Sequence, residues 1–252
     1  MSHIHLSRVN RGWVIRCHDH VTPAEFADTI TTIRAAGGGN VRWFVCEPTN
    51  DERACAAHHG LQADAPLLHM RCALPLNTAH QLPAGFVTRP FRAGVDNQAW
   101  LAVNARAFAA HPEQGSWTND VLIERLAEPW FDPQGFLIHE TDGHMTGFCW
   151  TQMHDHSAEH DQAEAHDDLA THDHHGAAPA GEIYVVGVDP SHHGKGLGRA
   201  LTIAGFAYLA ARGLQHGMLY VAGNNTAAIT LYESLGMTVA HSDDVFIGTV
   251  SR

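Results

Sequence analysis

The stretch Val185–Leu201 reads VVGVDPSHHGKGLGRAL. An apolar run ends at Val188, a turn passes through Asp189-Pro190, and Gly194, Gly196 and Gly198 lead into a helical pattern. That order predicts a strand, a glycine-rich loop and a helix. Backbone amides gathered in such a loop, with the positive end of the helix behind them, attract an anion. Glycines let the backbone approach a diphosphate with no Cβ in between. The chain's one lysine, Lys195, lies in the loop, and Arg199 follows in the first helical turn. Both cations can add charge-assisted hydrogen bonds to phosphate. No G-K-[ST] closes the loop, so it is not a Walker A sequence. The dinucleotide fingerprint G-x-G-x-x-[GA] fails too, because its last position falls on Arg199 or Leu201. A glycine-rich turn with no ligand is the plain alternative.

Outward from the loop, the patterns alternate between periods of two and 3.6. On the N-terminal side, Glu182–Val188 is a strongly apolar strand, and Phe136–Glu140 and Met145–Met153 form a hairpin about Asp142-Gly143. Before them come a strand at Phe86–Arg92 and helices at Val95–Phe108 and Thr118–Glu128. On the C-terminal side lie a helix to Arg212, a strand at Gly217–Ala222, a helix from Asn225 to Leu235 and a strand at Val245–Val250. The first 80 residues are less regular. They suggest a helix at Thr22–Ala36, a strand at Val41–Cys46, a short helix at Asp51–His59 and a strand at Leu67–Leu74, before a linker at Pro75–Pro83. The expected fold is α/β, with a mixed central sheet flanked by helices.

Composition excludes several classes. With 252 residues and 44% apolar content the chain can bury a real core. No apolar run reaches the roughly 20 residues of a membrane span, and Met1–Asn10 lacks a secretory apolar region. Five cysteines with no C-x-x-C pair read as free thiols, which predicts a cytoplasmic protein. Lys and Arg are too few and scattered for a nucleic-acid surface. Between His154 and His175 there are seven His, seven Asp or Glu, and no Lys or Arg, which accounts for most of the net charge of -12. This low-complexity insert, 154–180, reads as a disordered surface loop, with a weak divalent-metal site as the alternative. No metal requirement is expected, and the chain is expected to be a monomer.

The loop resembles the pyrophosphate loop [QR]-x-x-G-x-[GA] of GNAT acetyltransferases, with Gly196 and Gly198 at the glycine positions and His193 where Gln or Arg is usual. Leu219–Met237, LYVAGNNTAAITLYESLGM, resembles the second half of that fold. The resemblance implies that acetyl-CoA inserts between two splayed strands. Backbone groups of Val186, Gly187 and Val188 would hold the pantetheine arm and polarise the thioester carbonyl. His193, Gly194, Lys195, Gly196, Leu197, Gly198 and Arg199 would cradle the diphosphate. Tyr220, Asn225, Thr226, Ala227, Ala228, Ile229 and Thr230 would complete the cofactor site. From the residues alone, Asn225 is a plain helix cap and Tyr232 a core aromatic with comparable force.

Longer strings are similar to those of the mycothiol synthase branch of that family. They are NARAFAAHPEQGSWT (104–118), EPWFDPQGFLI (128–138), GFCWTQMH (147–154) and GEIYVVGVDP (181–190). By that resemblance Glu182 is the general base, Tyr232 the general acid, and Glu113, Gln152 and Glu182 touch the substrate. The substrate implied is the cysteinyl amine of Cys-GlcN-inositol. Gln152 stands where relatives tend to carry Lys, so it can hydrogen-bond but brings no charge. The branch has two GNAT repeats in tandem. Residues 1–80 resemble only the later half of the first, without a CoA loop, and 84–252 would be the catalytic domain. Two rivals stay open: a GNAT enzyme for another primary amine such as a peptide N-terminus, and a non-catalytic acyl-CoA-binding or metal-holding protein.

Overall fold

The computed structural model describes residues 4–9, 12–17, 19–109, 114–154 and 179–252. Local signals start most helices. Thr22 and Thr49 each form a capping box, with Glu25 and Glu52, ahead of α1 (Pro23–Ala35) and α2 (Asn50–His58). Thr118 caps α4 (Asn119–Leu126), and Asn225 caps α6 (Thr226–Glu233). The two remaining helices, α3 (Asn97–Ala107) and α5 (Leu197–Ala211), start without a side-chain cap.

One mixed sheet runs through the described residues. Its strands are β1 (Ile4–Val9), β2 (Gly12–Cys17), β3 (Gly39–Cys46), β4 (Gln62–Ala73), β5 (Arg89–Pro90), β6 (Phe136–Thr141), β7 (His144–His154), β8 (Ala180–Val188), β9 (His216–Ala222) and β10 (Thr238–Val250). The spatial order is β1-β2-β3-β10-β4-β9-β8-β7-β6-β5. The early strand β4 thus lies between the late strands β9 and β10, while β10 lies between β3 and β4. The N- and C-terminal parts of the chain are interleaved by this exchange.

Burial follows the period-two alternation of the strands. Phe148 and Trp150 of β7 pack with Trp100 and Val103 of α3, whereas Cys149 between them packs with Leu201, Ala204 and Leu209 of α5. The two helices therefore cover opposite faces of β7 and β8. A separate cluster joins α1, α2, β2 and β3 to Phe246 and Val250 of β10.

Three expectations need correction. The strands β1 and β2 have no counterpart among the expected elements. The C-terminal strand begins at Thr238 rather than Val245. The expected strand at Phe86–Arg92 shrinks to Arg89–Pro90. Proline cannot donate to a ladder, and the Arg92 amide donates instead to Asp96 Oδ2 at 2.7 Å. Arg89 Nη1 reaches the same carboxylate at 2.7 Å, so past the short pairing of Arg89 and Pro90 with β6 an ion pair, not a longer ladder, fixes this segment.

Candidate functional site

The parallel pairing of β8 with β9 is short. It consists of Ala180 with His216, Gly181 with Gly217 and Glu182 with Met218. Beyond Glu182, β8 continues to Val188 and β9 to Ala222 without pairing to each other. The opening lies at the C-terminal ends of two parallel strands, the usual place for a ligand in such sheets. On its other edge, β8 pairs Val185 with Trp150 and Ile183 with Thr151, so Tyr184 is an extra residue. This bulge falls where β8 leaves β9, and such bulges re-aim neighbouring groups.

The glycine-rich loop closes the end of the opening. Gly194 and Gly196 have φ of +74° and +78°, the left-handed region that favours glycine. A Cβ at either position would meet nothing within 4 Å, so the loop backbone faces open space. A Cβ at Gly198 would lie 3.7 Å from Val188 and 3.9 Å from Leu231, so the start of α5, the end of β8 and α6 converge there. Leu197 is buried, while His193, Gly194, Lys195 and Gly196 are exposed. His193 Nε2 donates to the Val188 carbonyl at 3.0 Å. Lys195 Nζ donates to the Ser191 carbonyl at 3.3 Å, and Arg199 Nη1 to Ser234 Oγ at 2.6 Å. Asp189 anchors the loop, accepting from Ser191 Oγ and pairing with Arg106 at 2.6 Å. The Ser191 hydroxyl, with the Ser191 amide and Arg106 adding, outweighs burial and holds the Asp189 carboxyl down at about 2.

Glu182 is 2% exposed. His154 Nε2 lies 2.7 Å from its Oε2. Gln152 sits directly across from Glu182 on β7, and His154 is two residues further along the same strand. Period-two alternation puts all three side chains on one face. Gln152 is also buried, and its side-chain carbonyl Oε1 has no hydrogen-bond partner among the described residues.

Asn225 Oδ1 accepts from the Ala228 amide at 3.2 Å, so its cap role is real. Asn225, Thr226, Ala227 and Thr230 are exposed, with Ala228 and Ile229 half-buried. Tyr232 is 8% exposed and packs in the cluster that holds Cys149, Leu197, Leu201, Val186 and Val188. Burial, with Cys149 adding, pushes its phenol well above the usual tyrosine range. Tyr220 stacks on His69 of β4, with ring centroids 4.8 Å apart.

The family model described as the acetyltransferase (GNAT) family matches residues 100–237, which include both splayed strands and the glycine loop. The chain belongs to the GNAT family. A mycothiol acetyltransferase of Thermobispora bispora is 47% identical over 212 residues, which cover 83% of this chain and 66% of that protein. A mycothiol acetyltransferase of Acidothermus cellulolyticus is 45% identical over 219 residues, covering 86% and 64%. The chain thus spans slightly less than two thirds of the length of these curated relatives. A GCN5-related N-acetyltransferase from Sphaerobacter thermophilus shares the fold, with 20% identity and a TM-score of 0.68 over 99% of this chain and 76% of that one.

Of the expected site residues, Val186, Val188, Leu197, Ala228, Ile229 and Tyr232 pack in one cluster, whereas Tyr220 packs apart from them with Ala180 and Met218. Glu113 and residues 155–178 of the expected 154–180 insert lie outside the described residues, while its ends, His154 and Ala180, are not loop but pair with each other in β7 and β8. His154 is not among the residues expected at the site. The alternation of Gln152 and His154 carries the signal, but His154 also opens the histidine-rich run, which hides it. The exposed glycines and helix start suit an acyl-CoA diphosphate.

Proposed function

We propose that this GNAT protein transfers the acetyl group of acetyl-CoA to the cysteinyl amine of Cys-GlcN-inositol, forming mycothiol. The observation that carries the reading is Glu182, a buried carboxylate at the point where β8 parts from β9, hydrogen-bonded to His154. The names of its relatives support the acceptor.

Glu182 takes a proton from the substrate ammonium, and the neutral amine attacks the thioester carbon. Backbone amides in the Val186–Val188 stretch stabilise the oxyanion as the C–N bond forms. The intermediate collapses with cleavage of the C–S bond, the Tyr232 phenol protonates the departing thiolate, and the surplus proton on the new amide nitrogen passes back to the tyrosinate. His154, partly exposed beside the buried Glu182, gives the proton a way out to solvent. The loop from His193 to Arg199, with Tyr220 and the segment 225–230, binds the cofactor. Glu113 and Gln152 contact the acceptor.

Residues 1–80 serve as a partial GNAT-like unit that walls the acceptor side, and 84–252 as the catalytic unit. β4, from the first unit, lodges between β9 and β10 and so ties the two units into one sheet. The protein acts in the cytoplasm as a monomer, without nucleic acid or membrane. No helix among the described residues is long and apolar enough to cross a membrane.

An acceptor panel tests the reading. CoA-thiol release is followed with Cys-GlcN-inositol, a peptide with a free N-terminus and simple amines. Preference for the cysteinyl-sugar by about tenfold or more in kcat/KM, the size of a lost hydrogen bond to a charged group, supports it. A peptide preference would move the activity to another amine acceptor.

A further inference from the structure

A second group of chemistry-bearing side chains lies away from β8, at the far end of the β3–β10 ladder. Cys46 and Asp243 are directly opposed in that ladder, and His241 is two residues before Asp243. Alternation therefore brings all three to one face. Among the described residues, Cys46, His241 and Asp243 each offer a ligand atom within 4.8 Å of the others. Asp243 is 1% exposed, His241 is half-buried and Cys46 is exposed. His241 Nε2 donates to Asp243 Oδ1 at 2.7 Å. That bond fixes the tautomer and leaves the Nδ1 lone pair directed toward Cys46 Sγ, 3.9 Å away.

The geometry points to a zinc-class divalent metal site in which Cys46 Sγ and His241 Nδ1 are ligands and Asp243 orients the imidazole from its other nitrogen. Sulfur and nitrogen ligands of a tetrahedral zinc ion stand about 3.5 Å apart, given bonds of about 2.3 and 2.0 Å. The observed spacing closes to that with a small side-chain movement. A carboxylate behind a ligating histidine is the common outer partner in such sites. Thiolate and imidazole together select zinc and its neighbours over magnesium or calcium. The surroundings favour a cation. An open cavity of about 500 Å³ beside the cluster is lined by Glu47, Arg53, His241 and Asp244 among others. The guanidinium there, that of Arg53, is paired to Asp244 at 2.7 Å. Glu47, next to Cys46, has φ of +47°, a left-handed conformation rare for a residue with a side chain. Water and the cavity carboxylates can supply the remaining positions.

The histidine-rich run also binds metal in principle, but it contains no cysteine. Cobalt(II) separates the two, because a bound thiolate gives a near-ultraviolet charge-transfer band and imidazole does not. The full chain, stripped with chelator, is titrated with Co(II). The expected result is a thiolate band that saturates at one equivalent. It should vanish in Cys46→Ser and persist in Cys72→Ser. Asp243→Asn should weaken the affinity about 10- to 100-fold. No thiolate band in the wild type, or a band that survives Cys46→Ser, would overturn the site. An unchanged affinity in Asp243→Asn would overturn the role of the carboxylate.

Discussion

His154 Nε2 lies 2.7 Å from Glu182 Oε2, and the histidine side chain is 18% exposed against 3% for the glutamate. The buried base therefore has a titratable neighbour that reaches toward water. His154→Ala should lower kcat roughly tenfold, the size of one hydrogen bond to a charged group. The KM for acetyl-CoA should not change. His154→Gln keeps a donor and should recover part of the loss. Equal losses in both variants, or a raised acetyl-CoA KM, would argue that His154 is only structural.

Tyr232 is buried and its phenol is pushed upward. It stays protonated through and beyond the range where a free tyrosine, with its ordinary value of 10.0, would ionise. Turnover should therefore show no alkaline loss from this residue below that pH. Tyr232→Phe should lower kcat about 100-fold or more, as for a lost general acid, while thermal stability changes little. A loss of folding rather than of kcat would assign the hydroxyl to the core.

Asp189 links pH to stability. Its carboxyl sits at about 2 in the fold against 3.8 for the free group. A lowered value means that the stabilisation is full above 3.8 and is lost as the pH falls toward 2. Acid denaturation curves should show this component, and Asp189→Asn should lack it. Because Asp189 also holds Ser191 and Arg106, the variant should raise the acetyl-CoA KM. Identical acid curves would count against the pairing.

At Gly196 the left-handed φ resists a side chain, while the open space around the Cβ position would admit one. Gly196→Ala should cost only about 1 kcal/mol of stability, since strain and not collision is at issue. It should nevertheless raise the acetyl-CoA KM about tenfold, because the methyl enters the space where the diphosphate would lie and displaces a charge-assisted contact. A normal KM would show that the loop backbone is not the cradle.

The catalytic half of the fold was legible because its signals are local. The run from Val185 to Leu201 holds strand, turn and helix in one window, and α5 and β8 appear with nearly the expected bounds. The exchange of β4 and β10 was not legible, since pairings such as Met70 with Leu219 depend on partners far away in sequence. The edge strand β1 has mixed polarity, IHLSRV, and offered little alternation to read. The triad of Cys46, His241 and Asp243 was invisible for the same reason as the strand exchange, as 195 residues separate the thiol from the imidazole.

The central claim is that Glu182 accepts the proton of the attacking amine. The measurement is CoA-thiol release from acetyl-CoA and Cys-GlcN-inositol by the wild type and by Glu182→Gln, with acetyl-CoA affinity measured in parallel by calorimetry. The expected result is a kcat about 10² to 10⁴ lower in the variant, with unchanged acetyl-CoA affinity. Turnover by Glu182→Gln at the wild-type rate would contradict the assignment of the base.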